Sequence, residues 1–105
     1  MTAATAEVLR ALVDEEAGGV WGLQVVKRTG RPAGSVYPIL ERLESAGWVT
    51  SEWETETARR GPRRRLYELT ADGRAAAREA VAAWSARSAS PRKPLRSRAA
   101  AEVVA

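Results

Sequence analysis

The chain has 105 residues with no Cys and no His, which excludes disulfides, thiolate metal sites and every nucleophile–His arrangement. That length holds one domain, and its net charge of +4 is unevenly placed: residues 1–86 carry equal numbers of acids and bases, while residues 87–105 carry the whole surplus. Inside the balanced part, Arg59, Arg60, Arg63, Arg64 and Arg65 sit together without an acid, so a locally positive site is expected on a neutral body.

A first helix is expected from Ala4 to Glu16, with Val8, Leu9, Leu12 and Val13 recurring at helical spacing and Thr2 or Thr5 as its cap. The N-terminus carries acids where a signal peptide carries bases, and no stretch approaches the roughly 18 apolar residues of a membrane span. A cytoplasmic protein without a membrane partner is expected. Gly18 and Gly19 break the first helix. A second helix fits Trp21 to Thr29, with Leu23 and Val26 inward, Val25 flanking, and Gly30 as the stop.

The third helix is read over Pro32 to Ala46, its apolar stripe being Val36, Ile39, Leu40 and Leu43. Pro32 suits the first helical position, and Gly47 ends the element. Pro38 forfeits a hydrogen bond and crowds the carbonyl of Gly34, so distortion of the early turns is expected. Trp48 to Glu54 and Arg64 to Thr70 then alternate as two strands, Val49, Ser51 and Trp53 sharing one face and Tyr67 and Leu69 another. Between them lies a long polar loop containing Gly61-Pro62.

Thr70 caps a fourth, Ala-rich helix to about Ala86, with Asp72 in its positive first turn. Its least polar stripe is Ala77, Ala80, Val81 and Trp84. Residues 87–105, with two prolines and many cations, read as a disordered basic tail. The expected division is a DNA-binding unit over 1–70, a C-terminal helix over 71–86, and the tail over 87–105.

Helix, helix, helix, strand, wing, strand, helix is the order of a winged helix-turn-helix, a mainly α member of the α+β class. The early outward positions of the third helix, Gly34, Ser35, Tyr37 and Pro38, are then candidates for a DNA groove. Small residues let the backbone approach, and the two hydroxyls reach base edges or phosphates. The wing arginines Arg59, Arg60, Arg63, Arg64 and Arg65 are candidates for phosphates, with Arg63 and Arg65 on the face opposite Arg64.

Trp21, Trp48 and Trp53 read as packing residues. Trp84 stands apart, because an aromatic beside small alanines suits a subunit seam or a flat ligand. No clustered set of Asp, Glu, Lys or Tyr points to catalysis, and no metal or cofactor is expected.

The stretches SVYPILERLESAGWVTSEWE and GPRRRLYELTADGRAA resemble the PadR family of bacterial transcriptional regulators. Tyr37-Pro38 followed by Leu40, Leu43 and Gly47 carries the likeness, as does Tyr67-x-Leu69-Thr70-x-x-Gly73. It covers Val8 to Trp84 and matches the short members with a single C-terminal helix. The resemblance implies a homodimer joined largely through the fourth helix, repression by binding an inverted-repeat operator in double-stranded DNA, and relief by a small aromatic or drug-like effector. The seam expected on that basis is Val8, Leu12, Ala77, Ala80, Val81 and Trp84, with Trp84 also a candidate effector contact. One departure stands out: the family's Gly-Tyr-Glu/Asp is Gly22-Leu23-Gln24 here. The rival readings are a MarR-like regulator and a winged helix that serves only as a protein-interaction module.

Overall fold

Helix α1 spans Ala3–Val13 and starts where the hydroxyl of Thr2 accepts a hydrogen bond from the Thr5 N–H at 3.1 Å. Ala6, Val8, Leu9, Ala11 and Leu12 form its buried face. The helix closes at Val13, earlier than expected, because the chain leaves through Asp14 towards a left-handed Gly18 (φ 110°). The computed structural model describes residues 1–15, 18–55, 61 and 63–89. The expected helix end at Glu16, Arg59, Arg60, Pro62 and the tail from residue 90 onward lie outside the described residues.

Instead of a simple break, Gly19–Trp21 forms a strand, β1. A Cβ on Gly19 would sit 2.7 Å from the Leu66 side chain, so glycine there permits close pairing. Helix α2, Gly22–Thr29, follows at once, and the Gln24 side-chain carbonyl accepts the Trp21 N–H at 2.9 Å. Gly30 closes it in the left-handed region (φ 71°). The inward face of α2 differs from expectation: Val25 is fully buried, Val26 is half-buried, and Leu23 is 55% exposed. Eight residues fix a helical phase poorly, and Leu-x-Val-Val accommodates two rotations.

Helix α3, Ala33–Ser45, buries Val36, Ile39, Leu40 and Leu43 as its stripe requires. Pro32 is its cap rather than its first residue, and the helix is continuous through Pro38. Both Pro38 and Gly34 are exposed, so water can reach the carbonyl deprived of its donor. Gly47 (φ 83°) ends the element, with the Trp48 N–H donating back to the Leu43 carbonyl at 2.9 Å.

Strands β2, Val49–Trp53, and β3, Arg65–Leu69, pair antiparallel from Val49 opposite Leu69 to Trp53 opposite Arg65. β3 is central, with β1 on its other edge in the order β1-β3-β2. Val20, Val49, Tyr67 and Leu69 close the core over the helices.

Helix α4, Ala71–Ala89, packs along α1. The Thr70 hydroxyl accepts the Gly73 N–H at 2.8 Å and donates to the Gly47 carbonyl at 2.9 Å. Gly73 must lack a side chain, because a Cβ there would collide with the Trp48 carbonyl. The helix runs past Ala86, so Arg87, expected in the tail, is helical.

This packing corrects the expected seam. Val8, Leu12 and Ala77 are 0%, 2% and 0% exposed within a single chain, which leaves them no surface to offer a partner. All three belong instead to the core that α1 and α4 share with α2, α3 and the sheet. Ala80, Val81 and Trp84 are half-buried.

Candidate nucleic-acid interface

Helix α3 presents Gly34, Ser35 and Pro38 to solvent, while its stripe holds the other side in the core. Tyr37 lies between these two faces and is half-buried. A Cβ on Gly22 would meet its hydroxyl at 2.6 Å, so the start of α2 is shaped around this ring. The first turn of α3 thus offers small residues and a Ser hydroxyl at the positive end of a helix, a set that suits a phosphate or a base edge.

The β2–β3 ribbon places its arginines differently from one another. Arg63 is exposed and has no partner among the described residues. Arg64 is tied inward: its Nη2 meets Glu54 Oε2 at 3.0 Å, its backbone N–H donates to Glu54 Oε1 at 3.1 Å, and its guanidinium lies 4.2 Å from the Trp21 ring centroid. Its Nε–H is buried without a partner among the described residues. Arg65 covers the Trp53 ring at 4.8 Å and faces Glu44 at 4.0 Å, too long for a hydrogen bond. Glu44 is instead bonded by the Ser51 hydroxyl at 2.7 Å. The three neighbours therefore divide into a cation without a partner among the described residues, an internally neutralised one, and one shared between Trp53 and Glu44. Alternation along the chain separates Arg64 from Arg63 and Arg65 but says nothing of which charge is already spent.

Between α3 and the ribbon lies a cleft of about 720 Å³, walled by Leu23, Tyr37, Glu41, Trp53, Arg63 and Tyr67 among others. Burial raises the Tyr67 hydroxyl above the ordinary tyrosine range, against a smaller opposing pull from Arg65. Sequence reasoning missed this cleft, since Leu23 and Trp53 read as packing residues. Trp53 is in fact 52% exposed.

Away from this side, Arg31 grips Glu7 with two hydrogen bonds of 2.7 and 3.2 Å. That pairing lowers the Glu7 carboxyl and raises the Arg31 guanidinium. It links α1 to the turn before α3.

A helix-turn-helix whose second helix is exposed at its start, flanked by a β-ribbon bearing arginines, is the winged-helix architecture. The chain belongs to the PadR-like family of transcriptional regulators, which residues 8–79 match. Transcriptional regulator Rv3488 of Mycobacterium tuberculosis is 38% identical over 74 residues, covering 69% of this chain and 66% of that protein. Among solved structures, BpsR of Bordetella bronchiseptica, whose DNA binding is regulated by 6-hydroxynicotinic acid, superposes with a TM-score of 0.65 at 30% identity. That match covers 84% of this chain and 64% of BpsR. A PadR family regulator from Eggerthella lenta gives a TM-score of 0.59 at 30% identity, over 80% of this chain and 73% of its own. The chain thus spans just under two thirds of the length of Rv3488 and of BpsR.

The departure at Gly22-Leu23-Gln24 acquires a structural meaning. Gln24 caps the Trp21 N–H, a task that an acid at this position performs equally well. Leu23 leaves a bare apolar surface in the cleft.

Proposed function

We propose that this chain is a cytoplasmic homodimeric repressor that reads an inverted-repeat operator in double-stranded DNA and is released by a small aromatic or drug-like effector. The observation that carries the reading is that Gly34, Ser35 and Pro38 at the start of α3 are exposed, as is Arg63 on the ribbon, which has no partner among the described residues. A phosphate strand is the natural counterion of such a pair of surfaces. The unit over residues 1–70 supplies DNA contact and α4 supplies the seam, with Ala80, Val81 and Trp84 as its remaining apolar surface. Two subunits then place their α3 helices in successive major grooves about 34 Å apart. Regulation of BpsR by an aromatic acid supports the effector clause.

Selection of bound duplexes from a random pool tests the reading. Enrichment of a twofold-symmetric motif is expected. Recovery of unenriched sequence alone would overturn it in favour of a protein-interaction module.

A further inference from the structure

We propose that Glu41 is a specificity-determining residue of the DNA-binding surface, its carboxylate accepting a hydrogen bond from the exocyclic amino group of a cytosine in each operator half-site. This deepens the repressor reading above and rests on it. The buried stripe Val36, Ile39, Leu40 and Leu43 fixes the rotation of α3. At about 100° per residue, the line directly opposite that stripe runs through Gly34, Pro38, Glu41 and Ser45, and all four are exposed. Arg42 lies on one flank of this line and Tyr37 on the other. A groove that receives the start of α3 therefore meets the Glu41 side chain two turns later. Along the helix axis Glu41 stands about 10 Å beyond Gly34, the height of about three base-pair steps.

Nothing on the helix neutralises this acid. The positions that reach Glu41 are three and four residues away, and they are Tyr37, Pro38, Glu44 and Ser45, none of them cationic. Arg42, the next residue, faces a different way. Among the described residues Glu41 has no hydrogen bond or ion pair, whereas Glu44 is bonded by the Ser51 hydroxyl at 2.7 Å. An unpaired carboxylate in the middle of a surface that approaches phosphates weakens every non-specific complex. Only a hydrogen-bond donor in the groove compensates it. In the major groove cytosine presents its N4 amino group, guanine two acceptors, and thymine an acceptor and a methyl. Adenine sets its N6 amino group beside the N7 acceptor, which opposes a carboxylate. Cytosine is thus the base that a lone Glu selects. Gly34 and Pro38 have no polar side-chain atom to offer a base, and the Ser45 hydroxyl both donates and accepts, so discrimination along this line falls on Glu41.

Selection from a random pool of duplexes with the full chain, Glu41→Ala and Glu41→Gln, followed by competition with single-base variants of the enriched duplex, tests this. The parent is expected to select cytosine at one position of each half-site and to lose about tenfold in affinity when that C·G pair becomes T·A. Glu41→Ala should bind these two duplexes alike, keep the preferences at the other positions, and bind a duplex of unrelated sequence more tightly than the parent does. Glu41→Gln should move the preference at that position to adenine, on whose N6 and N7 an amide forms two bonds. An identical motif in parent and Glu41→Ala overturns the assignment and leaves the repressor reading standing. So does an equal loss at every position in Glu41→Ala, or weaker binding of the unrelated duplex by that variant. Absence of any enriched motif in the parent overturns the repressor reading and the assignment with it.

Discussion

The guanidinium of Arg64 stacks over the ring of Trp21 at 4.2 Å, joining the foot of the wing to the residue where β1 becomes α2. Glu54 completes the clasp by holding both the side chain and the backbone N–H of Arg64. A charge so neutralised is a positioning element, whereas its neighbour Arg63 is exposed and has no partner among the described residues.

The two arginines should therefore separate in a salt titration of duplex binding. Arg63→Ala is expected to flatten the slope of log affinity against log salt by about one, the loss of one phosphate contact. Arg64→Ala is expected to weaken binding with the slope unchanged and to lower unfolding free energy by about 1–2 kcal/mol, since its hydrogen bond to Glu54 and its stacking on Trp21 are lost. A slope change in Arg64→Ala would show that its guanidinium leaves Trp21 for DNA.

Gly73→Ala should destabilise the fold although alanine is the better helix former. The added methyl meets the backbone carbonyl of Trp48, which cannot rotate away as a side chain would. A loss of about 1–3 kcal/mol in urea unfolding is expected. An increase in stability would mean that α4 shifts freely on the end of α3.

Much of this architecture is legible in the sequence, for identifiable reasons. The stripe Val36, Ile39, Leu40 and Leu43 extends over enough turns to fix the phase of α3, and Thr70 with Gly73 marks the start of α4 by cap chemistry. Strand β1 is hidden because three residues cannot display an alternation, and its partner lies far along the chain. Val8, Leu12 and Ala77 mislead for a different reason. An apolar stripe announces burial without naming what covers it, and here the chain's own helices and sheet do so. Of the site, the outward start of α3 follows from the stripe's complement. The internal pairing of Arg64 and the exposure of Trp53 depend on tertiary neighbours, to which charge and size patterns are blind.

Alkaline pH offers a probe of the core beneath the cleft. Tyr67 holds its proton more tightly when folded than at about pH 10, its ordinary value in an unfolded chain. Stability from this group is therefore complete below about pH 10 and is lost as pH rises through the higher folded value. Denaturant unfolding at rising pH should show a shallower alkaline decline in Tyr67→Phe than in the parent. Identical declines would mean that the hydroxyl is solvated in the native state.

Trp84 tests the proposed seam. Its ring is half-buried in the single chain and carries Arg87 at 5.5 Å. Trp84→Ala should raise the dimer dissociation constant at least about tenfold by sedimentation, as expected of a large aromatic anchor. An unchanged dimer fraction would place the seam elsewhere.

The hydroxyl of Thr70 touches the last turn after α3 and the first turn of α4 at once. With Gly73 pressed on Trp48, this leaves no slack between the two helices, so they turn as one crank. In an assembly built on α4, the tilt of that helix sets how far apart the two reading heads stand. A disturbance of a few degrees at its far end would then change the spacing of DNA half-sites without altering any residue that touches a base.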